Sequence, residues 1–278
     1  MKKLTFIAAF LLTVSLIAGC TQDTGDGSAS VHQSSSSQAD SSSSKASSSS
    51  SVQDNANSST ATKNKPEKKQ VSEKTGTLQK TIMDVKSLLK GQAQPLLPQK
   101  LPIENGSYIS AVVKNQASGY TVTFKQTSTP LKVNDKRLST AKTIAVITRH
   151  TYSNEAQAAK QMTYHKYGSS DGQAVPLGHQ ITGYADAGAG TAGISWNEGR
   201  WTLASLSPTS ESAKGEQLAR SIVDYLEVHS LPVPHQYGRV QTYTDNRQSM
   251  IRWQDRSSIY ELTGNDPLAL LAIAVSMK

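Results

Sequence analysis

The one cysteine of this 278-residue chain stands at position 20, and its place limits how the rest of the chain can be stabilised. It follows a basic start, with Lys2 and Lys3, and an apolar run from Leu4 to Ile17. That run is shorter than the roughly 20 apolar residues that a membrane-spanning helix needs, so it indicates a secretory signal peptide. Because one cysteine forms no internal disulfide, the domain that follows must be held by its core.

The residues around the cysteine, Leu16-Ile17-Ala18-Gly19-Cys20, resemble the lipobox of bacterial lipoproteins. In that family a diacylglyceryl group is attached to the cysteine sulfur, and the chain is cleaved just before the cysteine. The resemblance implies a signal peptide over residues 1–19 and a lipid anchor, with palmitate-type chains, at Cys20. It also implies a location at the cell membrane, on its extracytoplasmic face.

A serine-rich segment separates Cys20 from the remainder of the chain. Seventeen serines occur between Ser28 and Ser59, and almost no apolar residue interrupts them. Such a composition buries too little apolar surface to offset its ordering entropy, so we expect residues 20–75 to be a disordered tether. Lipobox and tether together resemble Gram-positive surface lipoproteins with a Ser-rich tether. That resemblance implies a location and no activity.

Positive charge is concentrated where the tether leads into the folded part. Residues 63–90 hold eight lysines against three acidic residues, Glu67, Glu73 and Asp84. Such a segment is attracted to an anionic leaflet or an anionic wall polymer, or it is a solvated run that keeps the chain soluble. The expected partners are the membrane, through the lipid anchor, and an anionic cell-wall polymer, a peptide or a partner protein. Nucleic acid does not fit an exported, anchored chain.

The pattern beyond residue 75 predicts one α+β globular domain over 76–278. Leu78, Ile82, Val85 and Leu89 draw one apolar stripe on a leading helix over 76–90, either docked or loose. Alternating strands and helices follow. We expect strands at 108–114, 120–125, 143–151, 180–185, 192–197, 200–207, 239–244, 250–254 and 258–263, and helices at 153–167, 212–229 and 267–277.

Two blocks of the chain look like copies of each other. Ile194-Ser195-Trp196 and Trp201-Thr202-Leu203, followed by a helix, are echoed by Ile251-Arg252-Trp253 and Tyr260-Glu261-Leu262, again followed by a helix. The block 120–167 is a candidate third unit. Repeated strand-strand-strand-helix units predict a mainly antiparallel sheet with helices on one face.

Familiar catalytic motifs occur here only in the wrong context. The run 188–193 fits G-x-G-x-x-G, but the residues after it predict a strand where a dinucleotide site needs a helix. Ser139 and Lys142 fit S-x-x-K, but the serine precedes a strand and the K-T-G at 74–76 comes too early in the chain. The six histidines lack metal-ligand spacing, so we expect no metal and no cofactor.

The best candidates for ligand contact lie at a predicted hairpin tip, at Glu198, Arg200 and Trp201. Trp201 is either a core or half-buried residue of the sheet or an aromatic platform for a sugar or peptide, helped by the two charges. Trp196 and Trp253 are expected to face the core, because each shares a strand face with the isoleucine two residues before it.

These observations lead to a hypothesis about function class. We expect a non-enzymatic lipoprotein that binds or interacts at the cell envelope. The alternatives are a cell-envelope hydrolase, whose catalytic residues meet only in space, and a structural spacer.

Overall fold

The computed structural model describes residues 76–278. The predicted signal peptide, Cys20 and the predicted tether lie outside the described residues.

Ten strands within residues 76–278 form a single sheet. Their bounds are β1 Tyr108–Gln116, β2 Gly119–Thr127, β3 Lys142–Thr151, β4 Gln173–Gly178, β5 Ile181–Gly188, β6 Thr191–Glu198, β7 Trp201–Pro208, β8 Gly238–Tyr243, β9 Ser249–Asp255 and β10 Ser258–Gly264. The spatial order is β1-β2-β3-β10-β9-β8-β7-β6-β5-β4. Neighbours are antiparallel except β7 and β8, which run parallel.

Four α-helices accompany the sheet in the described part. They are α1 Leu78–Leu88, α2 Glu155–Ala159, α3 Ser212–Glu227 and α4 Pro267–Val275. Buried side chains of α1, α3 and α4 share one core with one face of the sheet. The long helix α3 carries the chain from β7 to β8, as a parallel pair requires. No helix among residues 76–278 is long and apolar enough to cross a bilayer.

The leading helix α1 is docked on the sheet. Ile82, Val85 and Leu89 are buried in the common core. The Thr81 hydroxyl donates a hydrogen bond of 3.0 Å to the carbonyl of Ile109 in β1. The predicted apolar stripe therefore faces the sheet, and of the two arrangements left open by the sequence the docked one is observed.

The predicted α+β class with a mainly antiparallel sheet is confirmed, and α1, α3 and α4 share one core, whereas α2 does not belong to it. The two tryptophans occupy equivalent places, since Trp196 pairs with Leu203 across β6 and β7 and Trp253 pairs with Tyr260 across β9 and β10. The second triplets of the two blocks are offset by two residues, because the register matches Tyr260 with Leu203 and not with Trp201. Each tryptophan stands two residues before its strand ends. Trp196 is 0% exposed and Trp253 1% exposed, so both face the core as predicted.

The predicted helix over 153–167 is wrong for most of its length. Helix α2 ends at Ala159, and the chain then runs on without regular structure to β4, a strand that the sequence did not predict. The side-chain amide of Asn197 donates to the carbonyl of His165 and accepts from the backbone N–H of Tyr167. These contacts hold the segment in a non-helical conformation beside β6, so tertiary hydrogen bonds overrode a weak local pattern.

The third block also differs from the other two. The backbone carbonyl of Glu155 in α2 accepts a hydrogen bond from the side chain of Gln254. Because side chains alternate along a strand, Gln254 points to the face opposite its neighbour Trp253. Helix α2 therefore lies on the other face of the sheet from α4, and two of the blocks, not three, share the same arrangement.

One transverse row of residues crosses the core side of the sheet. In strand register the row reads Tyr120, Arg149, Tyr260, Trp253, Gly238, Trp201 and Glu198. The rings of Tyr260 and Trp253 are stacked with centroids 5.2 Å apart, and the Trp201 and Trp253 centroids are 6.5 Å apart. We call this set the transverse row.

Replacing either equivalent tryptophan should strongly destabilise the domain. Removing a buried Trp side chain costs about 3–5 kcal/mol. At ~2–4 °C per kcal/mol, Trp196→Ala and Trp253→Ala should each lower the melting temperature of the full chain by about 6–20 °C. Met83→Ala, on a side chain that is 57% exposed, is the control and should melt near the wild type. Wild-type melting of either tryptophan variant would contradict the assigned core face.

Position 238 needs a glycine because the Trp201 ring lies directly against it. A Cβ at this position would lie 2.4 Å from a ring carbon of Trp201, far inside normal contact distance. Gly238→Ala should therefore cost about 1–3 kcal/mol by overpacking, measured by thermal or denaturant unfolding. Gly168→Ala, where a Cβ meets nothing within 4 Å, is the matched control.

A double variant separates this clash from a change in backbone freedom. Trp201→Phe shortens the ring, so Gly238→Ala should cost less in that background than in the wild type. An unchanged cost would mean that the ring is not the cause.

Candidate ligand-binding sites

The tip of the β6–β7 hairpin brings two of the three predicted ligand contacts together. Glu198 and Trp201 are paired across the turn. Both line a cavity of about 210 Å³ between this hairpin and the end of α3. The other lining residues are Leu203, Leu226, His229, Ser230 and Leu231. We call this the Glu198 cavity.

Trp201 does not form an exposed platform. Trp201 is 7% exposed, and its ring packs over Gly238 and near Trp253. Stacking of a sugar or peptide needs an open ring face, which this burial removes. Of the two interpretations that the sequence allowed for Trp201, this burial agrees with a core residue, and Trp201 forms part of the wall of a small cavity.

The carboxyl group of Glu198 lies in an environment that favours its protonated form. Burial raises the pKa of this carboxyl above its usual range, and the negative charge of Glu227 acts in the same direction. The indole N–H of Trp196 donates to its Oε1 at 2.8 Å, which opposes the rise. The group is thus both fixed in position and able to carry a proton at a higher pH than an exposed glutamate.

Arg200 lies apart from the other two predicted residues. Its Nη1 donates to the backbone carbonyl of His235 at 2.8 Å, and the residue does not line the Glu198 cavity. The structure therefore assembles Glu198 and Trp201 and leaves Arg200 elsewhere. Ligand binding by these three residues stays a prediction.

The rejected motifs have plain structural roles. The run 188–193 is a tight hairpin between β5 and β6, with Ala189 at φ 48° and Gly190 at φ 79°. The Ser139 hydroxyl donates to the carbonyl of Lys136, and Lys142 pairs with Glu104 at 2.7 Å. In the K-T-G motif, residues 74 and 75 lie outside the described residues.

Three described histidines pair with carboxylates. His165 contacts Asp171 at 2.7 Å, His179 contacts Asp224 at 3.0 Å, and His235 contacts Glu155 at 3.2 Å. No serine hydroxyl is hydrogen-bonded to these rings within residues 76–278. In the same range no group of three or more His, Cys, Asp or Glu side chains is placed to hold a metal ion.

A larger cavity of about 1000 Å³ lies at the other end of the transverse row. It is formed by the end of α1, the connector after it, the ends of β3 and β9, the β9–β10 turn and Lys278. Its lining includes five cationic side chains, Lys86, Lys90, Arg149, Arg256 and Lys278, against one acidic side chain, Asp255. We call it the Arg149 cavity.

Arg149 is the half-buried cation of this cavity, and the other four are exposed. Its Nε donates to the hydroxyl of Ser258 at 3.2 Å, and its Nη1 lies 3.5 Å from the side-chain oxygen of Gln92. The guanidinium carbon is 5.8 Å from the centroid of the Tyr260 ring, within range of a cation–π contact. None of these partners is charged, and no carboxylate of the described residues forms an ion pair with Arg149.

The sequence reasoning missed the Arg149 cavity because its cations are far apart in the chain. Lys86 and Lys278 are separated by almost the whole domain, and only the sheet order brings them together. One local signal was present. Arg149 follows buried Ile147 by two positions in β3, so alternation places a charged residue on a core face, where an arginine needs a partner or a ligand.

No protein-family model matches the chain, and neither a curated protein nor a solved structure matches it.

The raised pKa of Glu198 predicts how stability depends on pH. The folded state holds this proton more tightly than the unfolded chain, whose carboxyl has the ordinary value of 4.5. The resulting stabilisation is complete below the ordinary pKa and is lost as pH rises through the folded value. In thermal unfolding the wild type should therefore lose stability relative to Glu198→Gln as pH rises above about 4.5.

The carboxylate of Glu211, whose partner is Lys214 at 3.0 Å, supplies the control for this experiment. Glu211→Gln should leave the pH dependence attributed to Glu198 in place. A constant difference between wild type and Glu198→Gln across this pH range would contradict the assignment.

Proposed function

We propose that the protein is a lipid-anchored lipoprotein on the extracytoplasmic face of the cell membrane and that its domain over 76–278 is a binding module of the cell envelope. Cys20 carries the lipid, and the domain captures its ligand in the Arg149 cavity.

The anchor half of the proposal is supported by the sequence. A basic start, a short apolar run and small residues directly before Cys20 occur together in the order that lipoprotein signals use. A single acyl chain binds a membrane only marginally, whereas two chains hold it durably, so a diacylglyceryl group on Cys20 is enough to retain the chain.

The binding half is supported by one observation above all, the unpaired guanidinium of Arg149 in a large cationic cavity. A structural arginine facing a core is normally matched by a carboxylate, because an isolated buried charge is costly. Here no carboxylate of residues 76–278 forms an ion pair with Arg149, and the cavity, whose one acidic side chain is Asp255, has room for a further anion. A ligand that supplies negative charge would complete this site.

The anchor is tested by replacing the cysteine. Cys20→Ala removes the sulfur that would carry the lipid, so metabolic labelling with a tagged palmitate analogue should be lost. The protein should also leave the membrane fraction or accumulate uncleaved.

Two variants control this test. Thr21→Ala changes the neighbouring residue, and Arg149→Gln changes the cavity, so both should remain labelled. Undiminished label on Cys20→Ala would refute the anchor, whatever the cavity binds.

A further inference from the structure

We propose that the Arg149 cavity binds an anionic polyol chain linked by phosphodiesters, with one phosphate on Arg149 and neighbouring phosphates on the surrounding lysines. The inference deepens the proposed function by naming the ligand class. It rests on that function only for the cellular location of the ligand, the cell envelope.

The charge arrangement fits a ligand with several anions along its length. Arg149 is half-buried, and the four exposed cations come from separate places, the end of α1 and the residues just after it, the β9–β10 turn and Lys278. Lys86 lies in the last turn of α1 and Lys90 lies two residues beyond the helix, and both line the cavity. A single small anion satisfies one of these charges, whereas a chain with repeating charges satisfies several.

The guanidinium of Arg149 is held ready to receive an oxyanion. Ser258, Gln92 and the Tyr260 ring fix its position, and its Nη2 makes no hydrogen bond to any residue of 76–278. Arginine binds phosphate or carboxylate through two parallel N–H groups, and lysines add point charges, a combination common in phosphate recognition. The cavity therefore has one guanidinium of fixed orientation, that of Arg149, and several exposed cationic side chains that can adjust to a ligand.

The neutral lining suits hydroxyl-bearing units between the charges. Gln94 and Ser257 place an amide and a hydroxyl group in the same cavity, whereas Gln92 and Ser258 hold Arg149 in position. These groups both donate and accept hydrogen bonds, as polyol hydroxyls require of their partners. The volume of about 1000 Å³ is at the upper end for ligand pockets, which indicates a ligand larger than one phosphate ion.

A soluble chain fits this cavity better than a membrane surface does. Lipid headgroups carry the same glycerol phosphodiester chemistry, but a leaflet is broad and would meet mainly the exposed cations. Arg149 lies within the wall of a concave site and is reached by a slender ligand. The assignment is therefore to a polymer, and a membrane surface becomes an outcome of the test.

The test measures binding of a synthetic poly(glycerol phosphate) oligomer to the full chain in non-ionic detergent by calorimetry. Arg149→Gln and Arg149→Lys should each weaken binding at least tenfold, because the lysine keeps the charge but loses the fork. Arg239→Gln is the matched control. It removes one exposed arginine from the opposite face of the sheet and should change affinity by less than about twofold, as expected for a distant exposed charge.

A second variant protects the test against unfolding. Arg149 contacts Tyr260 in the core, so each variant is first checked by thermal melting. If Arg149→Gln fails to fold, the double variant Lys90→Gln/Arg256→Gln, confined to exposed residues, should still weaken binding and make it less sensitive to added salt.

Three comparison probes decide the ligand class. Poly-glutamate tests carboxylate against phosphate, dextran tests a neutral polyol, and phosphatidylglycerol vesicles test a membrane surface. Preference for poly(glycerol phosphate) over all three supports the proposal. Equal binding of poly-glutamate, binding of vesicles alone, or absence of oligomer binding overturns it. Because this assay does not depend on lipid labelling of Cys20, its failure would leave the anchor untouched.

Discussion

The packing of aromatic rings across the middle of the sheet is the interaction on which the rest of this domain depends. Tyr120, Tyr260, Trp253 and Trp201 lie in register on neighbouring or near-neighbouring strands, and adjacent rings are 5.2–6.5 Å apart. Aromatic side chains bury the largest apolar areas of any residues, and all four belong to the core that the sheet shares with the helices. The domain over 76–278 contains no cysteine, so no disulfide links its elements. The row of rings instead connects strands from β2 to β7 across the middle of the sheet.

The same row also contains two charged residues that are partly buried and have no oppositely charged partner among residues 76–278. Arg149 lies beside Tyr120 and Tyr260, and Glu198 lies beyond Trp201 at the opposite end. Both groups are partly removed from water, and each has its position fixed by neutral partners. Position and partial burial together are what a binding group needs, because an oriented charge costs little reorganisation when a ligand arrives. The core of this domain is therefore also the scaffold of its candidate sites.

The two ends of the row differ in what they can accept. The Glu198 cavity is small, and burial raises the pKa of its carboxyl group. The Arg149 cavity is large, cationic and supplied with amide and hydroxyl groups. Only the second combines space with an unmet charge, which is why the proposed ligand site lies there and not at the hairpin tip where sequence motifs had pointed.

The sequence alone determined most of the secondary structure and the fold class. Period-two alternation fixed the inward faces of Trp196 and Trp253, and the apolar stripe of α1 fixed its buried side, because these patterns follow directly from strand and helix geometry. Tertiary structure decided what depends on distant neighbours. Asn197 held the segment after α2 out of a helix, Gly238 allowed Trp201 to be buried, and the order of strands brought Arg149 together with Lys278. Local sequence patterns predict the face of the helix or strand on which a side chain lies. A binding site, in contrast, is formed by residues far apart in the chain, and only the packing of the sheet brings them together.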